Sequence, residues 1–375
     1  MPATDWADLE ATEAAARLRL PEEVYDYFAG GAGDETTLAA NVASWRQRLL
    51  APRVLRGVSG VDAGVEVLGC RMTTPIAVAP MGLQRMAHPD GEIATAAAAA
   101  ATDTVLSVST YATSTVEEVA AAGGVQWFQA YVLRDRGLSR DLLQRAAAVG
   151  YRAVLLTVDA PIAGDRRRDR RHGYRLPTGA NLRLANFPES GQVSASYSIE
   201  LENTLTPDLI GWVADVSGLP VAVKGVLRGD DAKVVVAAGA SGVVVSNHGG
   251  RQMDGAVATA DALVEVAAAL SDTPAHVLVD GGIRTGADAV RALALGAHAV
   301  LVGRPVLWAL AVGGEAGVRG LLTALREDLL RTMALCGVSS VAEIGPDLLR
   351  GRVVAEAPAH RMTVRPHKRF PGATA

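Results

Sequence analysis

Eight short apolar runs, each about four residues long and each followed by a stretch with helical spacing, constrain the fold of this chain most strongly. The runs are 76–79, 105–108, 126–129, 153–156, 221–224, 242–245, 276–279 and 299–302. Runs that are apolar on both faces and alternate with helices indicate a parallel sheet that helices cover. Eight such units over about 230 residues predict an α/β fold, a (β/α)8 TIM barrel.

A doubly wound open sheet is the alternative arrangement of the same units. Its dinucleotide-binding version is disfavoured, because no GxGxxG motif follows the first apolar run. The predicted helices between the runs cover 91–102, 138–149, 230–238, 260–270 and 286–295.

The segments around the barrel divide the chain further. Residues 1–70 are predicted to form an N-terminal helical cap, and 71–345 the barrel, with a closing C-terminal helix at 317–336. The stretch 177–207 has the longest interval without periodicity, so we expect a mobile loop after the fourth strand. Residues 346–375 are predicted to be a tail that is partly disordered.

Composition excludes several classes of protein. The 375 residues are 49% hydrophobic and carry a net charge of −4, which is typical of a globular chain without the positive field that non-specific nucleic-acid binding needs. The arginine-rich run 165–171 is interrupted by two aspartates and lacks aromatics, so we expect a solvated loop there and no nucleic-acid partner.

Membrane insertion, export and metal binding are not predicted either. No uninterrupted apolar stretch approaches the roughly 18 residues of a membrane span. The first 20 residues lack the pattern of a signal peptide, so we expect a cytoplasmic location. Cys70 and Cys336 show no CxxC spacing, which predicts buried thiols and no metal site.

Polar residues and glycines follow the apolar runs, where the carboxyl ends of barrel strands converge and form active sites. The first run ends in Ala79-Pro80-Met81-Gly82, and the other ends carry Ser109, Gln129, Tyr131, Thr157, Asp159, Lys224, Ser246, His248, Asp280, Arg284, Gly303 and Arg304. Any one of these residues could cap a helix or stabilise a turn. Eight strand ends that carry such residues to the same mouth are better explained by a functional site.

The last two strand ends predict a phosphate site. Gly281, Gly282 and Gly303 allow close approach of the backbone to a ligand, and Arg284 and Arg304 supply positive charge. The site would therefore take a phosphate-bearing cofactor or substrate. Side chains available for the polar edge of that ligand are Lys224, Gln129, Ser109 and Thr157.

The stretch SNHGGRQMDG, residues 246–255, adds reactive groups to this mouth. His248 held by a carboxylate, for which Asp159 is the leading candidate, is suited to general-base chemistry. The planar guanidinium of Arg251 matches a carboxylate.

Six motifs resemble one family. SNHGGRQMDG, LVDGGIRTGAD, VLVGRP, FQAYV, TVDAP and VYDYFAGGAGDETTLAAN occur in the family's order, and the similarity runs from about residue 9 to about 345. Together they resemble the FMN-dependent 2-hydroxy-acid oxidases and dehydrogenases, the family of glycolate oxidase, lactate oxidase, mandelate dehydrogenase and hydroxymandelate oxidase.

The resemblance implies FMN as cofactor and a role for each site residue. The flavin ring would lie against Ala79, Pro80, Met81, Ser109, Gln129, Thr157, Lys224 and Ser246, and the phosphate against Asp280, Gly281, Gly282, Arg284, Gly303 and Arg304. The substrate would contact Tyr27, Tyr111, Tyr131, Arg166 and Arg251, with His248 as base, Asp159 as its support and Tyr131 as a further catalytic residue. The family further implies an L-2-hydroxy acid as substrate, oxygen as acceptor, hydrogen peroxide as product and a homotetramer.

Three positions depart from the family's pattern. Only Arg166 follows the fourth strand where a pair of arginines is usual, and the neighbouring Asp165 is expected to weaken its attraction for a carboxylate. Gly82 replaces a frequent alanine, which leaves a dehydrogenase or monooxygenase as the alternative to an oxidase. Tyr111 favours a small aliphatic substrate, whereas overall similarity to hydroxymandelate oxidases favours an aromatic one.

Two remoter alternatives stay open. The phosphate site alone would suit a non-redox barrel isomerase or lyase. A non-catalytic descendant of the family would keep the fold without the chemistry.

Overall fold

A closed barrel of eight parallel strands forms the centre of the computed structural model, which describes residues 5–173, 182–187 and 201–351. The strands are β1 (Ile76–Met81), β2 (Val105–Ser109), β3 (Gln126–Ala130), β4 (Val154–Thr157), β5 (Val221–Val226), β6 (Gly242–Val245), β7 (His276–Val279) and β8 (Ala299–Val302). Strand β8 pairs in parallel with β1 and closes the barrel. The eight predicted runs are these strands, and the (β/α)8 prediction is confirmed.

Helices surround the barrel. They are α1 (Leu9–Arg19), α2 (Glu22–Ala29), α3 (Thr36–Arg46), α4 (Gly91–Ala101), α5 (Val116–Ala121), α6 (Arg136–Ala148), α7 (Arg167–Arg171), α8 (Asp208–Ser217), α9 (Gly229–Ala237), α10 (Thr259–Leu270), α11 (Gly286–Ala294) and α12 (Arg304–Leu335). Short 3-10 turns occur at Gln84–Met86, Val341–Glu343 and Pro346–Leu348.

Local sequence explains where several helices begin. Capping boxes start α5 at Thr115 with Glu118 and α11 at Thr285 with Asp288, so the side chain of each threonine accepts a hydrogen bond from the backbone three residues on. Each cap ends the loop that connects the preceding strand to the helix, and both loops contribute residues to the barrel mouth.

A short hairpin closes the opposite end of the barrel. Strands Val65–Val67 and Cys70–Met72 pair antiparallel, and their apolar residues join the core inside the barrel. The indole nitrogen of Trp127 in β3 donates to Cys70 Sγ at 3.4 Å. This hairpin was not predicted from the sequence, and the predicted N-terminal helical cap is helical only as far as Arg46 among the described residues.

Helix α12 is the closing helix, and it begins earlier than predicted. Its first turn follows Gly303 at the barrel mouth, and non-helical dihedrals at Gly314 (φ 55°, ψ −140°) bend it before it packs on α1, α4 and α11. By length and composition alone α12 could cross a membrane, but 61% of its most apolar window is buried within the molecule. We therefore read α12 as a core helix.

The predicted mobile loop and tail lie partly outside the described residues. Within 182–187, Leu184 and Asn186 are buried, and Asn186 Oδ1 accepts from the Val116 amide at 2.9 Å. Residues Leu349–Arg350 of the predicted tail pair with Leu49–Leu50. The mobility and disorder predicted for the remaining residues stay predictions.

The N-terminal cap is attached to the loop after β6 by one carboxylate. Asp254 Oδ1 accepts from the Thr37 amide at 2.9 Å and the Thr36 hydroxyl at 2.7 Å, and Oδ2 accepts from the Asp34 amide at 2.9 Å. Asp254 thus caps α3 from 217 residues away. These bonds, chiefly that from the Thr37 amide, lower the pKa of Asp254 from 3.8 to about 2.

Replacing Asp254 with alanine is expected to lower the free energy of unfolding by about 1 kcal/mol at neutral pH, because α3 loses its cap. A carboxyl with a lowered folded-state pKa stabilises the fold above its ordinary pKa and loses that effect as the pH falls toward the folded value. The difference between wild type and Asp254→Ala should therefore narrow below about pH 4. Urea denaturation at several pH values measures the free energy of unfolding of both proteins. Exposed Asp272→Ala is the control, which should show neither the loss of stability at neutral pH nor its dependence on pH.

Candidate functional site

A cavity of about 440 Å³ opens at the carboxyl ends of the strands. All the site residues predicted from the sequence line it, except Asp159 and Ser246, which lie directly behind its wall. Residues that line it without having been predicted as site residues include Phe28, Gly82, Arg134, Ile162, Ala163, Leu201, Asn203, Gly249, Gln252 and Ile283. The structure therefore brings the predicted residues together at one mouth.

A belt of polar side chains crosses one side of this cavity at the ends of β2, β3 and β4. The Ser109 hydroxyl donates to Gln129 Oε1 at 3.1 Å, and Gln129 Nε2 donates to Thr157 Oγ1 at 3.0 Å. All three residues are buried. The belt holds these side chains in fixed orientations, as recognition of a flat, polar ring edge requires.

The belt continues on β5, β6 and β7 with charged groups. Lys224 Nζ lies 3.1 Å from Asp280 Oδ2 and donates to the Ser246 hydroxyl at 2.9 Å. Burial lowers the pKa of Lys224, but the charges of Asp280 and Asp159 outweigh burial and leave it raised, so the ammonium stays protonated. The Ser246 hydroxyl also accepts a hydrogen bond from the His248 amide at 3.0 Å, so Ser246 contacts both Lys224 and the backbone of His248. Asp280 Oδ1 is buried and has no hydrogen-bond partner among the described residues.

Strand β1 contributes backbone to the same wall. Its pairing with β2 shifts register between Val78 and Met81, so Ala79 and Pro80 lie in a bulge that lines the cavity. Bulges next to functional sites commonly re-aim backbone and side chains. This position agrees with the predicted role of 79–81.

Glycines and arginines after β7 and β8 form an anion site. Gly281 and Gly282 have φ of 88° and 86°, and a Cβ at Gly282 would lie 2.2 Å from the carbonyl oxygen of Asn41. A Cβ at Gly303 would lie 3.7 Å from the Cβ of Ala79 and from Met81 Sδ, which is ordinary van der Waals contact. Burial lowers the pKa of Arg284, and burial with the charges of Arg251 and Arg284 lowers that of Arg304 to about 9. This partly buried positive charge suits the binding of an anion.

The N-terminal cap forms the back of this anion site. Trp45 Nε1 donates to the carbonyl of Gly281 at 2.8 Å. Asn41 and Asn247 exchange two side-chain hydrogen bonds of 2.8 Å each. No role was predicted for these three residues from the sequence, although Asn41 and Asn247 lie within two of the motifs that resemble the family.

His248 lies between a carboxylate and a phenol. Its Nδ1 is 2.9 Å from Asp159 Oδ1, and its Nε2 is 3.4 Å from the Tyr131 hydroxyl. Burial raises the pKa of Asp159, but the neighbouring His248 and Lys224 charges outweigh burial and lower it, so Asp159 is ionised. With Nδ1–H donating to Asp159, the lone pair on Nε2 faces the cavity and can accept a proton. Burial holds the pKa of Tyr131 well above 10, so its hydroxyl remains a donor.

Backbone conformation explains the glycines that follow this histidine. His248, Gly249 and Gly250 all have positive φ, between 59° and 76°. A Cβ at Gly249 would lie 2.9 Å from Arg304 Nη1, and one at Gly250 would lie 2.7 Å from the Leu38 amide nitrogen. The two glycines let the loop approach Arg304 and the cap at once.

Two arginines flank the ring of Tyr27, and we call Arg166 and Arg251 the carboxylate clamp. The guanidinium carbons lie 5.7 Å and 5.1 Å from the ring centroid. Arg251 Nη1 also donates to the carbonyls of Tyr27 (2.6 Å) and Gly30 (3.0 Å). Planar guanidinium groups fixed in this way suit recognition of a carboxylate.

Tyr111 forms a further part of the cavity wall. Its ring lies 5.2 Å from that of Tyr131, and burial raises its pKa above 10. A Cβ at Gly82 would lie 3.0 Å from the Cβ of Tyr111, so the glycine and the tyrosine fit together closely.

The acid that lies next to Arg166 of the carboxylate clamp is Asp169, whereas Asp165 was expected from the sequence. Asp165 is half-exposed and pairs with Arg170 at 2.9 Å and Arg167 at 3.7 Å. Asp169, one turn along α7, lies 3.3 Å from Arg166 Nε. Asp169 is therefore the acid beside Arg166 in this structure, because i and i+3 residues share a helix face whereas adjacent residues do not, and the contacts of Asp165 give no support to the expectation that it weakens Arg166.

Comparison with known proteins identifies relatives over most of the chain. Residues 16–351 match the family model described as FMN-dependent dehydrogenase. The L-lactate oxidase of Nostoc sp. is 46% identical over 351 residues, covering 90% of this chain and 96% of the relative. The 2-hydroxyacid oxidase 1 of Homo sapiens is 41% identical, covering 92% and 96%, respectively.

Solved structures of related proteins have the same fold over most of the chain. Mandelate oxidase with 3,3-difluoro-2-hydroxy-3-phenylpropionic acid superposes with a TM-score of 0.85 at 43% identity, covering 92% of this chain and 99% of that one. Mandelate oxidase with benzoyl-formic acid superposes with a TM-score of 0.84, also at 43% identity, covering 92% and 98%.

The residues of the cavity fit FMN. Arg284 and Arg304 with the glycines provide for its phosphate, the unpartnered Asp280 Oδ1 can accept from a ribityl hydroxyl, and the polar belt can bond the ring edge. Among the described lining residues Asp280 is the sole acid, against five arginines and Lys224. The net positive charge of the cavity lining suits the binding of two anions, a phosphate and a carboxylate.

Replacing Arg284 with methionine is expected to weaken FMN binding about 10- to 100-fold, because one charge-assisted hydrogen bond to phosphate is worth about 1.5–3 kcal/mol. Riboflavin, which lacks the phosphate, should bind wild type and variant equally. Quenching of flavin fluorescence by the apoprotein measures both constants. Arg319→Met on the exposed side of α12 is the control, and an equal loss for FMN and riboflavin would contradict a phosphate role.

Proposed function

This chain belongs to the FMN-dependent dehydrogenase family of 2-hydroxy-acid oxidases, and we propose that it oxidises an L-2-hydroxy acid to the 2-oxo acid with oxygen as acceptor, releasing hydrogen peroxide. One observation carries the assignment of roles: His248, supported by Asp159, shares a cavity with the carboxylate clamp and Tyr131. A base beside a carboxylate site is what selective oxidation of a 2-hydroxy acid requires.

Each side chain has a defined task in this proposal. The clamp and Tyr27 hold the substrate carboxylate, which orients the carbon that bears the hydroxyl. His248 Nε2 accepts a proton from the substrate, and the ionised Asp159 stabilises the resulting imidazolium. Tyr131 donates a hydrogen bond to the substrate oxygen. FMN, when bound, supplies the acceptor for the two electrons. Lys224 provides positive charge beside the ring's polar edge.

The non-redox isomerase or lyase has less support. A phosphate site alone leaves the belt of Ser109, Gln129 and Thr157 unexplained, whereas a flavin ring would use it. A non-catalytic descendant is disfavoured because the base, its supporting carboxylate and both arginines are all in place.

His248→Ala is expected to keep bound FMN and to slow anaerobic flavin reduction about 10²- to 10⁴-fold, the usual contribution of a general base. Stopped-flow absorbance near 450 nm measures the rate. His276→Ala, which removes a histidine at the amino end of β7, is the matched control and should reduce at the wild-type rate. Flavin reduction at the wild-type rate in His248→Ala would contradict the assignment of His248 as the base.

Oxygen as acceptor is tested by measuring oxygen uptake and peroxide together. Equal amounts of oxygen consumed and hydrogen peroxide formed support an oxidase. Rapid turnover with an artificial dye but slow oxygen uptake would indicate a dehydrogenase. Oxygen uptake with release of carbon dioxide and no peroxide would indicate a monooxygenase, the alternative that Gly82 leaves open.

For the substrate's side chain we propose a small aliphatic group. The support is Tyr111, whose ring packs on Tyr131 and occupies part of the cavity wall. Tyr111→Ala is expected to raise the ratio of kcat/KM for mandelate to that for lactate by about tenfold, because the ring no longer fills the space beside the substrate. Tyr111→Phe is the control and should keep the wild-type ratio. An unchanged ratio in the alanine variant would contradict the assignment.

The cytoplasmic location and the homotetramer also belong to the proposal. Both cysteines are buried free thiols, as is usual in a reducing compartment. Exposed Val54 and Leu55 lie together on the surface, where subunit contact would cover them. Cell fractionation and light scattering of the purified protein test the two statements; a monomer or an exported protein would contradict them.

A further inference from the structure

Asp169 is a buried carboxylic acid behind the carboxylate clamp. Its side chain is 6% exposed, and Oδ2 lies 3.3 Å from Arg166 Nε, whose side chain is 13% exposed. The two atoms are close without the alignment of a hydrogen bond, and no described donor satisfies Asp169 Oδ2. A carboxylate buried in this way is held in its ionised form mainly by neighbouring charge.

Charged groups face Asp169 from three sides. Arg166 and Arg251, the two members of the clamp, favour its ionised form. Asp26 on α2 opposes ionisation, and His172 at the end of α7, which lies 2.8 Å from Asp26, favours it when protonated. Burial is the largest influence, and it raises the pKa of Asp169 above its usual 3.8 despite the arginines.

We propose that Asp169 is a positioning residue that sets how strongly Arg166 attracts the substrate carboxylate, and that binding of a carboxylate is coupled to protonation of Asp169. The inference rests on the proposed function, because it takes Arg166 as a ligand of the substrate. Ionised Asp169 neutralises part of the charge on Arg166. Protonated Asp169 leaves that charge to the substrate.

The coupling follows from like-charge repulsion. A substrate carboxylate at the clamp places a second negative charge on the same guanidinium group that Asp169 faces. Keeping both carboxylates ionised becomes less favourable, so Asp169 takes up a proton from solvent as the ligand binds. Ligand affinity therefore falls as rising pH removes that proton from the free enzyme.

The test measures the dissociation constants of two unreactive carboxylates, propionate and (S)-2-phenylpropionate, from the perturbation of the flavin spectrum of the FMN-loaded enzyme. Asp169→Asn is expected to bind them more tightly than wild type, by on the order of tenfold near pH 8, with the ratio shrinking toward low pH. Because both proteins retain His248, its own effect on anion binding cancels in this ratio.

Two further variants separate charge from structure. Asp165→Asn removes the same charge from the same segment, but at a residue that pairs with Arg170 and not with the clamp, so it should follow wild type at every pH. Asp169→Glu keeps the charge and should keep the pH dependence. Weaker binding in Asp169→Asn at every pH, or a ratio that does not change with pH, would overturn the proposal.

Calorimetry keeps the test decisive if Asp169→Asn fails to fold. Binding of propionate to FMN-loaded His248→Ala, which removes the other titratable group beside the clamp, should show net proton uptake in buffers of different ionisation heat, and none would overturn the coupling. The proposed function fails separately: it is wrong if no 2-hydroxy acid reduces the wild-type flavin under anaerobic conditions, whatever the carboxylate titrations show.

Discussion

Burial of positive charge at the barrel mouth is the constraint on which the rest of the site depends. Burial and the repulsion of neighbouring arginines lower the pKa of Arg304 to about 9, and Arg284 is lowered by burial as well. Arg304 is held by the carbonyls of Phe28 (2.9 Å), Gly249 (3.1 Å) and Gly30 (2.9 Å). These neutral acceptors orient the guanidinium but do not offset its charge, so the mouth is suited to bind anions.

The N-terminal cap and the barrel form this site jointly. Trp45 bonds to the carbonyl of Gly281 and Asn41 to Asn247, while Asp254 attaches α3 to the loop that carries His248. Gln252 Nε2 donates to the carbonyls of Asp159 and Ile162, each at 3.0 Å, which joins the loop that carries His248 to the loop that carries Asp159. Precise catalytic geometry therefore depends on contacts between segments more than 80 residues apart.

The strands and most of the site were predictable because both follow from local pattern. Runs apolar on two faces mark barrel strands, and the residues after them must meet at one end of a parallel barrel. The hairpin ending at Met72 was missed because its strands are too short to show periodicity. The roles of Asn41 and Trp45 depend on partners more than 200 residues away, and which acid meets Arg166 depends on a helical turn at α7.

A crystal structure of the FMN-loaded protein with (S)-2-phenylpropionate tests the central claim most directly, because it shows which anion each buried cation binds. The account predicts the phosphate on Gly281, Gly282, Arg284 and Arg304, and the ligand carboxylate on Arg166 and Arg251 with its C2 carbon next to His248 Nε2. A phosphate away from those arginines, or a carboxylate bound outside the clamp with His248 turned away from C2, would contradict it.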